Sequence, residues 1–137
     1  MSLELMRKWV NSLPPAERKL PLLHVGNAFY TPEQALYEVE RGTEIGEELQ
    51  RLVEEGRFGT DLVDLAKARL QLVLKEAGPY KIASLSGRAV STAELEQKLK
   101  NNDLDDPLLK LLLAAEIQQA EKALNKAKDI TVSEEQG

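Results

Sequence analysis

Residues 81–95, KIASLSGRAVSTAEL, decide what kind of domain this chain forms. Ala83 and Gly87 stand four residues apart and precede a helix start, which is the spacing of a helix-turn-helix. The competing reading is a hairpin that feeds an ordinary helix. Gly78-Pro79 stops the helix before the stretch. Tyr80, Ile82 and Ser84 then alternate with Lys81, Ala83 and Leu85, as a short strand does. Ser86-Gly87 precedes Arg88-Ala89-Val90 as a tight two-residue turn would, and Ser91 with Glu94 makes a capping box. The stretch reads as strand, turn, strand and capped helix. A lone two-stranded hairpin is marginal in water, so it should lie on the helices or meet its counterpart in a second chain.

Outward from there the punctuation is clear. Upstream, Asp61 caps a helix whose row Leu62, Ala66, Leu70, Val73 and Ala77 is widened by Leu65, Leu72 and Leu74. Thr31-Pro32-Glu33-Gln34 is a capping box with proline at the first helical position. That helix turns Ala35, Leu36 and Val39 inward and ends at Gly42. Thr43 starts another, with Ile45, Leu49, Leu52 and Val53 as its stripe and Gly56 as its end. The near absence of a linker predicts a tight corner. Residues 17–30, ERKLPLLHVGNAFY, are apolar but irregular and read as an extended or looping segment on the core. Before them, Leu3, Met6, Val10 and Leu13, with Trp9 beside them, mark a short helix stopped at Pro14-Pro15.

Downstream, Asp106-Pro107 starts the longest helix, expected to reach about Lys128, with DITVSEEQG as a flexible tail over 129–137. Within it Leu113, Ile117, Ala120, Leu124 and Ala127 recur at heptad spacing over two heptads. Leu108, Leu109, Leu111 and Leu112 make its start apolar nearly all round. Such a helix is buried on more than one side, by its own chain or by a second copy. The expectation is a mainly α, compact bundle-like domain over 1–128, with five or six helices and one short hairpin at about 80–90.

Composition narrows the function. With 42% apolar and 30% charged residues but few aromatics, the core is built from Leu, Val, Ile and Ala. The chain has no cysteine, which excludes disulfides, thiol nucleophiles and thiolate metal sites. MSLELMRKWVNSLPP, with Glu4 early, does not read as a secretory signal, and no apolar run is long enough to span a bilayer. The expected location is cytoplasmic.

The net charge of −5 resides in residues 31–59, where eight acids face three arginines. The acidic run reads as a solvated helix surface. A duplex-binding domain concentrates basic charge, and here the would-be recognition helix carries Glu94 and Glu96 on its first turns.

No chemistry-bearing constellation emerges. His24, the only histidine, has no nominated partner and reads as structural. Asn101, Asp103 and Asp105 begin like a calcium loop, but Asp106 replaces the required glycine and Leu112 the bidentate glutamate. Glu40, Glu44 and Glu48 lie on an exposed face rather than in a cleft. No catalytic residue, cofactor or metal is therefore nominated. The expected function is a non-catalytic helical protein–protein interaction module, an adaptor, scaffold or small regulatory subunit of unknown partner. It is expected to form a homodimer through Leu109, Leu113, Ile117, Ala120 and Leu124. The alternative is a DNA-binding transcriptional regulator using residues 81–100.

Overall fold

The computed structural model of the chain describes residues 3–136 except 59, 60, 79, 80, 84–86 and 88, and for 81–83 and 130–136 the backbone alone. Six α-helices and two hairpins occur among the described residues. Helix α1 (Leu3–Ser12) is followed by a single 3₁₀ turn, Glu17–Lys19, and a hairpin of β1 (Leu23–Val25) and β2 (Ala28–Tyr30). Then come α2 (Pro32–Arg41), α3 (Glu44–Glu55) and α4 (Leu62–Ala77). A second hairpin, β3 (Lys81–Ala83) and β4 (Ala89–Ser91), leads directly into α5 (Thr92–Lys100), and α6 (Pro107–Gln136) closes the chain. The mainly α domain expected from the sequence, with a hairpin near residues 80–90, is the fold observed.

Local chemistry sets the boundaries. Thr31 Oγ1 accepts from the Gln34 amide at 3.0 Å while Gln34 Oε1 accepts from the Thr31 amide at 2.9 Å. Thr43, Asp61 and Ser91 cap α3, α4 and α5 by the same accepting geometry. Gly42 and Gly56 end their helices in the left-handed conformation that glycine adopts without steric cost.

Four features differ from expectation. Residues 23–30, read as irregular, form a hairpin that turns at Gly26-Asn27, where Val25 pairs with Ala28. A positive φ at Gly26 but not at Asn27 is the II′ pattern, whose twist suits two joined strands. In the second hairpin Ala83 faces Ala89, whereas a two-residue turn at Ser86-Gly87 would place it opposite Val90. Ser86 itself lies outside the described residues, as do Pro79, Tyr80, Ser84, Leu85 and Arg88. In α4, Val73 is 41% exposed although its spacing placed it inside, and Arg69 is buried in the helix's inner face. Lastly, α6 runs through the expected tail to Gln136, since no glycine or proline follows Pro107 before that point.

The core falls into two clusters. The first gathers Met6, Trp9 and Val10 of α1, and Leu13 just after it, against Leu23, Ala35, Leu49 and Val53. It is closed by Ala120, Ala123 and Ala127 of α6, whose small side chains let α1 approach closely. There the Trp9 ring stacks on Phe58 at 6.0 Å, and its Nε1 donates to the Ala127 carbonyl at 3.2 Å. The second cluster joins Ala66, Leu70 and Leu74 of α4 to Val90, Leu95, Leu99 and the first turns of α6. Each fully buried large side chain contributes about 1.5–3 kcal/mol relative to exposure.

Candidate interaction groove

The helix that closes the core was also the candidate dimer surface. Its start is built as the sequence indicated. Asp106 Oδ1 accepts from the amides of Leu108 and Leu109 at 2.9 and 3.3 Å, and Lys98 Nζ donates to Oδ2 at 3.0 Å. Asp106 is thus a helix cap, and the Lys98 hydrogen bond, helped by both amides against partial burial, holds its carboxyl below the ordinary aspartate value.

The five candidate interface residues are placed as follows. Leu109 and Leu113 are buried in the second cluster, with Ile117 partly buried against it. Ala120 is buried in the first cluster, with Leu124 partly buried against it. All five therefore pack on this chain's own helices. On the same helix Leu111 is 54% exposed.

A cleft between Leu13, Pro14 and Glu17 and the α6 residues Gln119, Lys122 and Lys126 is narrow; a longer concave surface lies along the outer face of α4. Two adjoining clefts share Phe29, Ala68 and Gln71 and together form one groove. One end is bounded by His24, Lys67 and the end of α5 at Leu99 and Lys100. The other is bounded by Pro21, Leu72 and Lys75. Helical geometry makes this a continuous surface, because residues 64, 67, 68, 71, 72 and 75 follow the i, i+3, i+4 spacing of one face.

The β1–β2 hairpin supplies the facing wall. Cross-strand pairing sets His24 opposite Phe29, and their rings stack at 4.2 Å and 7°. The His24 amide donates to the Phe58 carbonyl at 2.9 Å, which fixes the hairpin to the segment that follows α3. His24 is thus held by its backbone amide and by the stacking of its ring, at one end of the groove. A third shallow cleft continues from Phe29 past Tyr30 to Tyr37 on α2. Tyr37 is 58% exposed and lies under the Arg41 guanidinium, 5.2 Å from its ring centre.

Behind the groove sits a residue that sequence reading missed. Arg69, 1% exposed, donates from Nε to Glu116 Oε1 at 2.8 Å and from Nη2 to Glu17 Oε1 at 3.0 Å. Nη1 approaches Glu17 Oε2 at 2.9 Å without an aligned hydrogen bond and reaches the Pro21 carbonyl at 3.3 Å. Burial pulls the guanidinium pKa down most strongly of the single influences, but the two carboxylates together outweigh it and the net shift is upward. The cation therefore stays charged and ties α4, α6 and the 3₁₀ turn to the Pro21 edge of the groove.

Neither Arg69 nor Phe29 stood out in sequence. Gly26-Asn27 between LLHV and AFY was the available signal for the hairpin that presents Phe29. For α4, the signal was the polar and small face Asp64, Lys67, Ala68, Gln71 and Lys75.

The remaining candidates are less suited to a site. Helix α5 follows a strand and not a first helix. It buries Thr92, Leu95 and Leu99, and its exposed residues Ala93, Glu94, Gln97 and Lys100 carry one acid and one base, not the concentrated basic face that duplex binding uses. Among the described residues no group of three or more His, Asp or Glu is arranged to hold a metal ion, and no helix is long and apolar enough to cross a membrane. Comparison of the chain with protein-family models, curated proteins and solved structures finds no match.

Proposed function

We propose that the chain is a non-catalytic helical interaction module, an adaptor, scaffold or small regulatory subunit, that holds a segment of a partner protein in the groove along α4. The observation that carries this reading is the pairing of a rigid floor with an aromatic wall. Ala68 and Gln71 sit on a sixteen-residue helix anchored from behind by Arg69, and Phe29 faces them from the β1–β2 hairpin. Grooves of this kind, walled by an aromatic ring and edged by polar groups, suit recognition of short segments.

The absence of cysteine makes a direct test simple, because Gln71→Cys creates one thiol for a photocrosslinker. In extract of the native cells the labelled protein should give one dominant adduct, lost when Phe29→Ala is added. Absence of an adduct, or one indifferent to Phe29, overturns the reading.

Self-association in the cytoplasm is a second part of the proposal, on a narrower footing than the sequence suggested. With the α6 seam engaged inside the chain, the surface for a second copy is the exposed side of α6 around Leu111. Light scattering should report twice the monomer mass at high concentration, and Leu111→Glu should restore the monomer with helicity intact. A monomer mass for the unmodified chain removes this part and leaves the groove reading standing.

A further inference from the structure

We infer that the partner segment taken by the α4 groove is an extended acidic peptide carrying one apolar anchor. The inference rests on the interaction-module reading and names the partner chemistry for its groove.

Charge supports it first. The chain carries −5 overall, yet Lys67, Lys75 and Lys100 line the groove against one acid, Asp64. Two of these lysines have another reason to be there. Lys75 and Lys100 stand in the last turns of α4 and α5, where cations complement the helix dipole. Lys67 lies within the body of α4 and has no such role. Its Nζ meets a neutral partner, Asn102 Oδ1 at 3.1 Å, so its charge remains available to an anion. Lys100 already pairs with Glu96, a mostly buried carboxylate, at 3.3 Å, so the charge open to a ligand rests on Lys67 and Lys75.

Shape and polarity support it next. From Asp64 to Lys75 the floor extends about 16 Å at 1.5 Å per helical residue. That length accommodates about five residues of extended chain at 3.3 Å each. Between the terminal lysines the lining turns apolar at Phe29, Ala68 and Leu72, a place for one hydrophobic side chain. The Gln71 side-chain amide sits at the join and can serve a peptide group. A basic segment meets three like charges here. A nucleic acid duplex, being wider, must also pass Glu38 and the acidic α2–α3 surface next to Phe29, whereas a short peptide need not.

Fluorescence anisotropy with labelled peptides EEEEFED and KKKKFKK and a random DNA duplex tests this on the full chain. The acidic peptide should bind about tenfold or more tightly than the basic one, and weaken about tenfold between about 0.05 and 0.5 M salt. Phe29→Ala should cost about tenfold, and Lys67→Glu with Lys75→Glu should abolish the preference, with circular dichroism unchanged. Equal binding of both peptides, no binding of the acidic one, or tighter binding of the duplex overturns the inference. If the position-71 crosslink still captures a Phe29-dependent partner while EEEEFED fails to bind, the acidic chemistry falls and the module reading survives. Failure of both removes both.

Discussion

A buried arginine between two glutamates is worth less than its three short contacts suggest, because all three charges lose water to make them. Its removal is another matter. Arg69→Met leaves Glu17 and Glu116, both mostly buried, without their cation and the Pro21 carbonyl without its donor. The expected loss is about 3–5 kcal/mol, read from the urea midpoint. The triple variant with Glu17→Leu and Glu116→Leu should recover most of it, and no recovery would show that the arginine acts by shape alone. Asp106 works on a smaller scale. Because its carboxyl binds a proton more weakly folded than unfolded, its contribution is complete above the ordinary carboxylate range. It is lost as the pH falls through the lower folded-state value. Asp106→Asn keeps a capping oxygen without the charge. With Lys98 still a quarter exposed, the variant should lose no more than about 1 kcal/mol at pH 7. The stability curves of variant and parent should then converge at acid pH, below the ordinary aspartate range.

At the scale of elements, the sharpest constraint is the corner between α2 and α3. Gly46, in the first turn of α3, lies so close to α2 that an added Cβ would meet the Glu38 carbonyl oxygen at 2.4 Å. Thr43 crosses the same gap, with its hydroxyl donating to Glu38 Oε2 at 2.7 Å. Gly46→Ala gains about 1 kcal/mol of helix propensity in an unconstrained helix. Here the clash with rigid backbone reverses the sign, and a net loss of about 1–3 kcal/mol in thermal or urea unfolding is expected. A gain in stability would mean that the corner opens freely. The caps on either side of that corner were legible in sequence because capping is local: Thr31, Thr43, Asp61 and Ser91 act within three residues of themselves. Gly46, Arg69 and Phe29 were not legible, since what defines each is a neighbour from elsewhere in the chain. The periodicity of α6 named buried positions, but burial against one's own chain and against a copy leave the same spacing in the sequence.

The whole molecule depends on α6 because that helix enters both clusters. Leu108, Leu109 and Leu113 complete the second, while Ala120, Ala123 and Ala127 complete the first, seven and more residues further along one unbroken helix. Helix α4 straddles the same divide, with Leu65 in the first cluster and Ala66 in the second. Losing either cluster therefore exposes apolar surface on two helices that the other still holds, so partial unfolding leaves both halves poorer. The chain reports on this directly, since its one tryptophan, Trp9, is fully buried in the first cluster and far-UV circular dichroism samples helices of both. Urea transitions followed by tryptophan fluorescence and by circular dichroism should coincide as a single cooperative step. Leu95→Ala, placed in the second cluster, should lower both midpoints together through a loss of about 2–5 kcal/mol. A fluorescence midpoint that stays fixed while the dichroism curve divides would show that the two clusters unfold independently and that α6 does not couple them.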